Sequence, residues 1–287
     1  MSIAVSKPVL EDLDDVVQTL ATWQRDDVPL QLHPGDLGWH WRHGSAAVAR
    51  DLRVWRESGR IVSMGFLDGP EVLRMTVAPE RWSDADLASR IRADVTEGSA
   101  EILSGEKISV EAPNGSALQE AFRSAGWAAG EAWTPLSRSL ERPVELPGLL
   151  RVEVVGSGAS SAFTAVHRSA WNNPNFTDSA WSVMAATTVF TSARCLLGRD
   201  RDGVPVAGVI VWSSGKGRPG LLEPMGVRAE YRGLGYGTAI CLAAAAALQN
   251  MGSSTASVCT PSALLSAVAT YRSAGFVPMA ERFDCVR

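Results

Sequence analysis

The chain has 287 residues, enough for two domains of ordinary size. With 46% hydrophobic and 20% charged residues it has the material for packed cores, which excludes a mainly disordered or collagen-like chain. The net charge of −4 argues against a strongly basic nucleic-acid binder, and it is unevenly divided: residues 1–148 carry 15 basic and 23 acidic residues, whereas residues 149–287 carry 12 and 8. Cys195, Cys241, Cys259 and Cys285 form no CxxC pair, a pattern of reduced thiols with no metal site. The N-terminal segment lacks the apolar core of a secretory peptide. The longest apolar run, Ala239–Leu248, is ten residues, against about 20 for a membrane-spanning helix. These features predict a cytoplasmic protein with neither membrane nor nucleic acid as partner.

In chain order, an acid-rich helix is predicted over Glu11–Thr22, followed by a loop region bearing Trp39-His-Trp-Arg-His43. Those residues read as packed aromatics with surface histidines, or as a lining of an acceptor pocket; no zinc spacing accompanies the histidines. Strands follow at Ala49–Arg56, Arg60–Leu67 and Glu71–Val77, then a helix from Ser83 to Val95 whose Leu87, Ile91 and Val95 share a face. A strand at Lys107–Glu111, a helix at Ser116–Ala125 and a strand at Trp133–Leu140 complete the first half. Residues 141–148, with two prolines and a glycine, read as a linker. The second half repeats the order: strand Arg151–Val155, helix Ser160–Ser169, and strands Ala193–Arg199, Val206–Ser213 and Gly220–Val227. Helix Gly237–Asn250, strand Thr255–Thr260, helix Ser262–Ala274 and a closing strand at Met279–Val286 follow. Helix, hairpinned strands and strand–helix–strand units together indicate an α/β layer with a mixed sheet.

An internal repeat supports two related halves. Phe122-Arg-Ser-Ala-Gly-Trp127 matches Tyr271-Arg-Ser-Ala-Gly-Phe276 at an offset of 149, and Thr76–Trp82 aligns with Gly226–Arg232 at 150.

The string Met225–Thr238 joins a predicted strand to an Ala-rich helix through Gly233, Gly235 and Gly237. Glycines allow the backbone to approach a ligand closely, and a helix start presents N–H groups to phosphate oxygens. Arg232 adds a charge-assisted donor. No Gly-Lys-Ser/Thr follows, so this is not a Walker loop, and the glycine spacing fits the dinucleotide fingerprint poorly.

Arg232-Gly-Leu-Gly235-Tyr-Gly237 resembles the signature Arg/Gln-x-x-Gly-x-Gly/Ala of the GCN5-related N-acetyltransferases, and Tyr271–Phe276 resembles that superfamily's aromatic-x-x-x-Gly-Phe ending. The resemblance covers residues 149–287 well and 1–140 weakly. It implies two tandem acyl-CoA N-acyltransferase domains, each a mixed, mostly antiparallel sheet flanked by helices: a degenerate domain at 1–140, the linker 141–148, and a catalytic domain at 149–287. It further implies acetyl-CoA as cosubstrate, the pantetheine arm bonded near Val227, and the pyrophosphate over Arg232, Gly233, Leu234, Gly235, Tyr236, Gly237 and Thr238. The expected reaction is direct acetyl transfer to a primary amine, with a small-molecule acceptor; a non-catalytic acyl-CoA-binding or sensor protein is the alternative.

In the first half, Arg81-Trp-Ser-Asp-Ala-Asp-Leu87 stands where the pyrophosphate loop would be. No glycine remains, and Asp84 and Asp86 would repel phosphate. This half is therefore expected to shape the substrate site, act as scaffold or mediate a homodimer.

By resemblance, Tyr271 is the acid that protonates the departing thiolate, a role a phenol fills because it remains protonated at neutral pH. Phe122 at the matching position cannot donate. Glu223, a carboxylate among Leu221, Leu222, Pro224 and Met225, is the candidate base or ammonium anchor. Glu230 falls in the following turn. His167, Trp171 and the asparagines at 172, 173 and 175 belong to the segment expected to influence acceptor choice, with His167 as a surface histidine or a second base. Relatives commonly carry Asn where this chain has Leu264, and Cys259 has no sequence partner that would make it a nucleophile.

Overall fold

The computed structural model describes residues 3–29, 32–97 and 102–287. In the first half, β1 (Ile3–Ser6) precedes α1 (Leu13–Thr22), α2 (Pro34–His40) and α3 (Ser45–Asp51). The meander β2 (Leu52–Glu57), β3 (Arg60–Leu67) and β4 (Val72–Val77) comes next, then α4 (Ala85–Glu97), β5 (Ser109–Glu111), α5 (Ala117–Ser124) and β6 (Ala128–Ser139). The second half opens with β7 (Arg151–Val154), α6 (Ser160–Trp171) and α7 (Asp178–Ala185), followed by β8 (Ala193–Arg199), β9 (Pro205–Ser213) and β10 (Gly220–Val227). It closes with α8 (Tyr236–Asn250), β11 (Thr255–Pro261), α9 (Leu265–Ser273), β12 (Val277–Pro278) and β13 (Arg282–Val286). Residues 141–148 belong to no helix or strand.

Local sequence accounts for most of these elements. In α1, Leu13, Val16, Val17, Leu20 and Ala21 recur at helical spacing and are all buried. α8 is buried on most sides by alanines that let it lie close to the sheet, with Ile240 and Leu248 as its larger anchors. Two expectations are corrected. Ala49–Asp51 are helical and the strand starts at Leu52, because Gly44 at φ 88° turns the chain into α3. The Trp/His region is α2 plus a short turn, not a loop. His33 caps α2 by accepting the Gly35 N–H, the Asp36 carboxylate accepts the His33 N–H at 2.6 Å, and Pro34 occupies the first turn. Gly35 and Gly38 let α2 lie directly on the Trp212 indole: a Cβ at either would stand 2.6 and 2.3 Å from its atoms. Nor are the histidines of this region all on the surface. His40 packs against Phe66 and bonds to Asp51 at 2.9 Å, and Trp41 is buried.

The strands form one mixed, mostly antiparallel sheet in the order β1-β2-β3-β4-β5-β13-β6-β11-β10-β9-β8-β7, with β12 beside β6. The two halves exchange their last strands. β13 inserts between β5 and the first part of β6, with Cys285 opposite both Val110 and Ala129. Reciprocally, the second part of β6 lies between β11 and β12, with Leu136 opposite Val258 and Pro278. Trp133 and Arg282, which begin the exchanged segments, are 149 residues apart, the offset of the sequence repeat.

Each half has its own core, and a third core joins them: Val16, Leu20, Leu37 and Trp41 of the first half pack with Phe163, Met184, Ile210 and Trp212 of the second. Among the described residues no helix is long and apolar enough to cross a membrane, and no group of His, Cys, Asp and Glu could hold a metal.

Candidate active site

Both halves contain a parallel strand pair, β4 with β5 and β10 with β11, and the second of these diverges. β10 and β11 pair only at Gly220–Ala256 and Leu221–Ser257, and β10 carries an irregularity between Leu222 and Met225. This splay opens into a cavity of about 310 Å³. Glu223, Pro224 and Met225 line one wall, Val258, Cys259 and Thr260 another, and Tyr271 of α9 reaches in from behind. Trp212 Nε1 donates to the Glu223 carbonyl at 2.7 Å and fixes the strand at this point.

The structure thus brings Glu223 and Tyr271 to one cavity. Burial pushes the Glu223 carboxyl up to about 7, with the Asp36 charge adding to the shift and Arg74 opposing it. Tyr271 is buried, and burial, with Cys241 and Glu223 nearby, holds its phenol well above its ordinary value, so it keeps its proton. Cys259 lines the same cavity, and burial pushes its thiol up to about 11. A thiol that stays protonated is a poor nucleophile. Glu230 is exposed and paired with Arg228 at 2.6 Å, away from the cavity lining.

The glycine loop lies apart from the cavity lining, at the start of α8. Gly233 and Gly235 have φ of 78° and 83°, Gly235 precedes the helix, and no side chain caps it. Gly237 sits where a Cβ would stand 2.9 Å from the Thr270 methyl, so it lets α8 approach α9. Leu234 is exposed, Tyr236 opens the helix, and Thr238 is half-buried in its first turn. Arg232 donates to the Ala170 carbonyl at 2.5 Å, which ties the loop to α6 while its side chain remains at the surface. Val227 lies at the end of β10, paired on its other side with Ala207 of β9. An uncapped helix start with a glycine backbone before it suits a pyrophosphate, and the splay beyond Leu221 suits an extended thiol arm.

His167 is not a surface residue. It is wedged against Trp39, Phe176 and Trp171 at ring distances of 5.3, 4.8 and 6.2 Å, and its Nδ1 is buried without a partner. Burial pushes it down to about 4, so it is neutral. Trp171 lines the cavity and Leu264 stands at its edge, where relatives commonly carry Asn.

The first half contributes residues that motif reasoning did not find. Asp36, Asp68, Arg74 and Glu111 line the same cavity, joined by Arg282 from the exchanged strand. Arg74 lies 3.0 Å from Asp36 and 3.1 Å from Glu111, and Arg282 lies 2.9 Å from Glu111. Burial works to raise Glu111, but the two guanidiniums hold it below the usual carboxylate range. The signal used for Glu223, a charge within an apolar strand, is also present in Val72-Leu-Arg74-Met and Arg282-Phe-Asp-Cys285.

Residues 160–276 match the acetyltransferase (GNAT) family model. The chain as a whole has the fold of a tandem GNAT protein. It is similar to a GCN5-related N-acetyltransferase from Sphaerobacter thermophilus, with a TM-score of 0.61 and 15% identity over 99% of this chain and 95% of that one. A tandem GNAT protein from the clavulanic acid biosynthesis pathway gives 0.58 and 14% over 100% and 98%. A GNAT-family acetyltransferase from Colwellia psychrerythraea gives 0.59 and 16% over 99% and 100%. No curated protein sequence matches the chain.

Proposed function

We propose that the protein transfers an acetyl group from acetyl-CoA directly to a primary amine of a small molecule, with residues 149–287 as the catalytic domain and residues 1–140 completing the acceptor site. The observation that carries this reading is the meeting of Glu223 and Tyr271 in one cavity at the splayed ends of β10 and β11. When bound, acetyl-CoA supplies the activated thioester. The backbone of residues 233–238 and Arg232 would hold its pyrophosphate, and the free edge of β10 near Val227 its pantetheine arm.

Glu223 then prepares the amine. Near pH 7 its carboxylate is basic enough to take a proton from an incoming ammonium, leaving the nitrogen lone pair free to attack. Tyr271, which stays protonated, gives its proton to the sulfur as the carbon–sulfur bond breaks. Trp212 holds the Glu223 backbone in place through its hydrogen bond.

The test is release of CoA thiol from acetyl-CoA across a panel of primary amines, with wild type and Glu223→Gln. Amine-dependent release that falls in the variant supports the reading. Tight acetyl-CoA binding without release on any amine would favour a non-catalytic acyl-CoA-binding protein.

A further inference from the structure

Resting on that reading, we infer that the acceptor is a cationic amine with no carboxylate or phosphate close to its reacting nitrogen, and that Asp36 and Asp68 of the first half receive its positive charge. Four carboxylates line the cavity, Asp36, Asp68, Glu111 and Glu223, against the guanidiniums of Arg74 and Arg282. Both guanidiniums are engaged: Arg74 by Asp36, Asp68 and Glu111, and Arg282 by Glu111. Arg42, close enough to feel the Glu223 charge, lies over the Trp39 ring at 4.1 Å and donates to the Trp39 carbonyl. Among the described lining residues, no cation is left over to grip an anionic group on the acceptor.

The acidic side, by contrast, has unused capacity. Asp36 is only 4% exposed; its Oδ2 accepts the His33 N–H, while Oδ1, 3.0 Å from Arg74 Nη2, makes no hydrogen bond. Asp68 meets Arg74 only at 3.8 Å, beyond hydrogen-bonding range. A buried carboxylate oxygen held only by an ion pair still has room to accept, and an ammonium N–H would fill it. At about 310 Å³ the cavity is at the small end of ligand sites, so a carboxylate beside the amine would be forced toward these acids.

The experiment uses the full-length protein saturated with CoA and calorimetric titration of three matched pairs: cadaverine and lysine, agmatine and arginine, tyramine and tyrosine. The expected result is that at least one decarboxylated partner binds about tenfold or more tightly than its amino acid. Asp68→Asn, at an exposed position, and Asp36→Asn, which keeps an oxygen to accept the His33 N–H, should each erode that preference. Equal or tighter binding of the amino acids, binding of none of the six, or a preference unchanged in both variants would overturn the inference. Thiol release with acetyl-CoA is followed separately: a preference in binding without any release would leave this inference standing and remove the acetyl-transfer reading.

Discussion

The two halves solve the same structural problem at a helix start in opposite ways. At α4 the first turn is closed by the protein itself: Asp84 accepts the Leu87 N–H at 2.8 Å, and Arg81 clamps Asp84 and Glu57. At α8 the glycine before the helix offers no side chain, and the N–H groups stay open. The parallel pairs differ in the same sense. In the first half Arg74 and Glu111 pair in register and bridge their strands with an ion pair, while β10 and β11 separate after Leu221. One half has closed these features inward as structure and the other has left them free, and a carboxylate is the filler at both first-half positions.

The comparison can be broken most severely by separating the halves. Because β6 and β13 are exchanged, residues 1–148 and 149–287 expressed alone should each fail to give a cooperative unfolding transition by circular dichroism, and co-expression should restore one. Two independently folded halves would show that the exchange is dispensable. Next in size is Tyr271→Phe. It should lower kcat by about 10²-fold, the lower end of general-acid assistance because a thiolate leaves readily, with little change in melting temperature. The reverse change at the repeat position, Phe122→Tyr, should leave kcat alone and cost some stability, since Phe122 is fully buried against Trp127. Steady-state kinetics and melting curves on both variants test the pair.

A smaller effect comes from exchanging the character of the helix starts. Gly235→Asp puts a charge and a side chain at φ 83° and should weaken CoA binding about tenfold or more by titration calorimetry. Asp84→Ala should leave CoA binding unchanged and cost about 1 kcal/mol through loss of the cap. The last is a pH effect on stability. The Glu223 carboxyl rises on folding from its ordinary 4.5 to about 7, so the folded state holds this proton more tightly than the unfolded chain. Its destabilising influence is absent below about pH 4.5, grows between the two values and is complete above about 7. Glu223→Gln should therefore melt higher than wild type at pH 8 and together with it at pH 4, as differential scanning fluorimetry would record.

The second half was largely legible because its signals are local: continuous apolar runs in β8 to β10, alanines in α8, glycines at fixed spacing, and a lone glutamate in an apolar strand. The first half's α2 was not, because seven residues held by a histidine cap and two glycines against Trp212 carry no helical periodicity. The strand exchange was invisible for a different reason. β6 and β13 have the composition of a closing strand in either half, and only tertiary geometry decides which neighbour each joins. The charged cavity residues of the first half were missed as a consequence, since Asp36, Arg74 and Glu111 are far apart in the chain and meet Arg282 only through that exchange. The charge-in-a-strand signal was present at Arg74 and Arg282 and went unused because the half around Arg74 lacked a motif.

The exchanged strands also set a timetable for biosynthesis. β5 and β6 emerge from the ribosome early, but the strand that belongs between them is encoded at Arg282–Val286, in the second half. At about 5–20 residues per second, roughly 10–30 s separate the two events. Until β13 arrives, β5 and β6 lack the strand that pairs with both of them. β6 carries Glu131 and Pro135, residues that discourage foreign strands from adding to an edge. The half made first is thus completed only after the half made second, and loss of Arg282–Val286 would remove a strand from the N-terminal sheet while leaving every residue of the glycine loop in place.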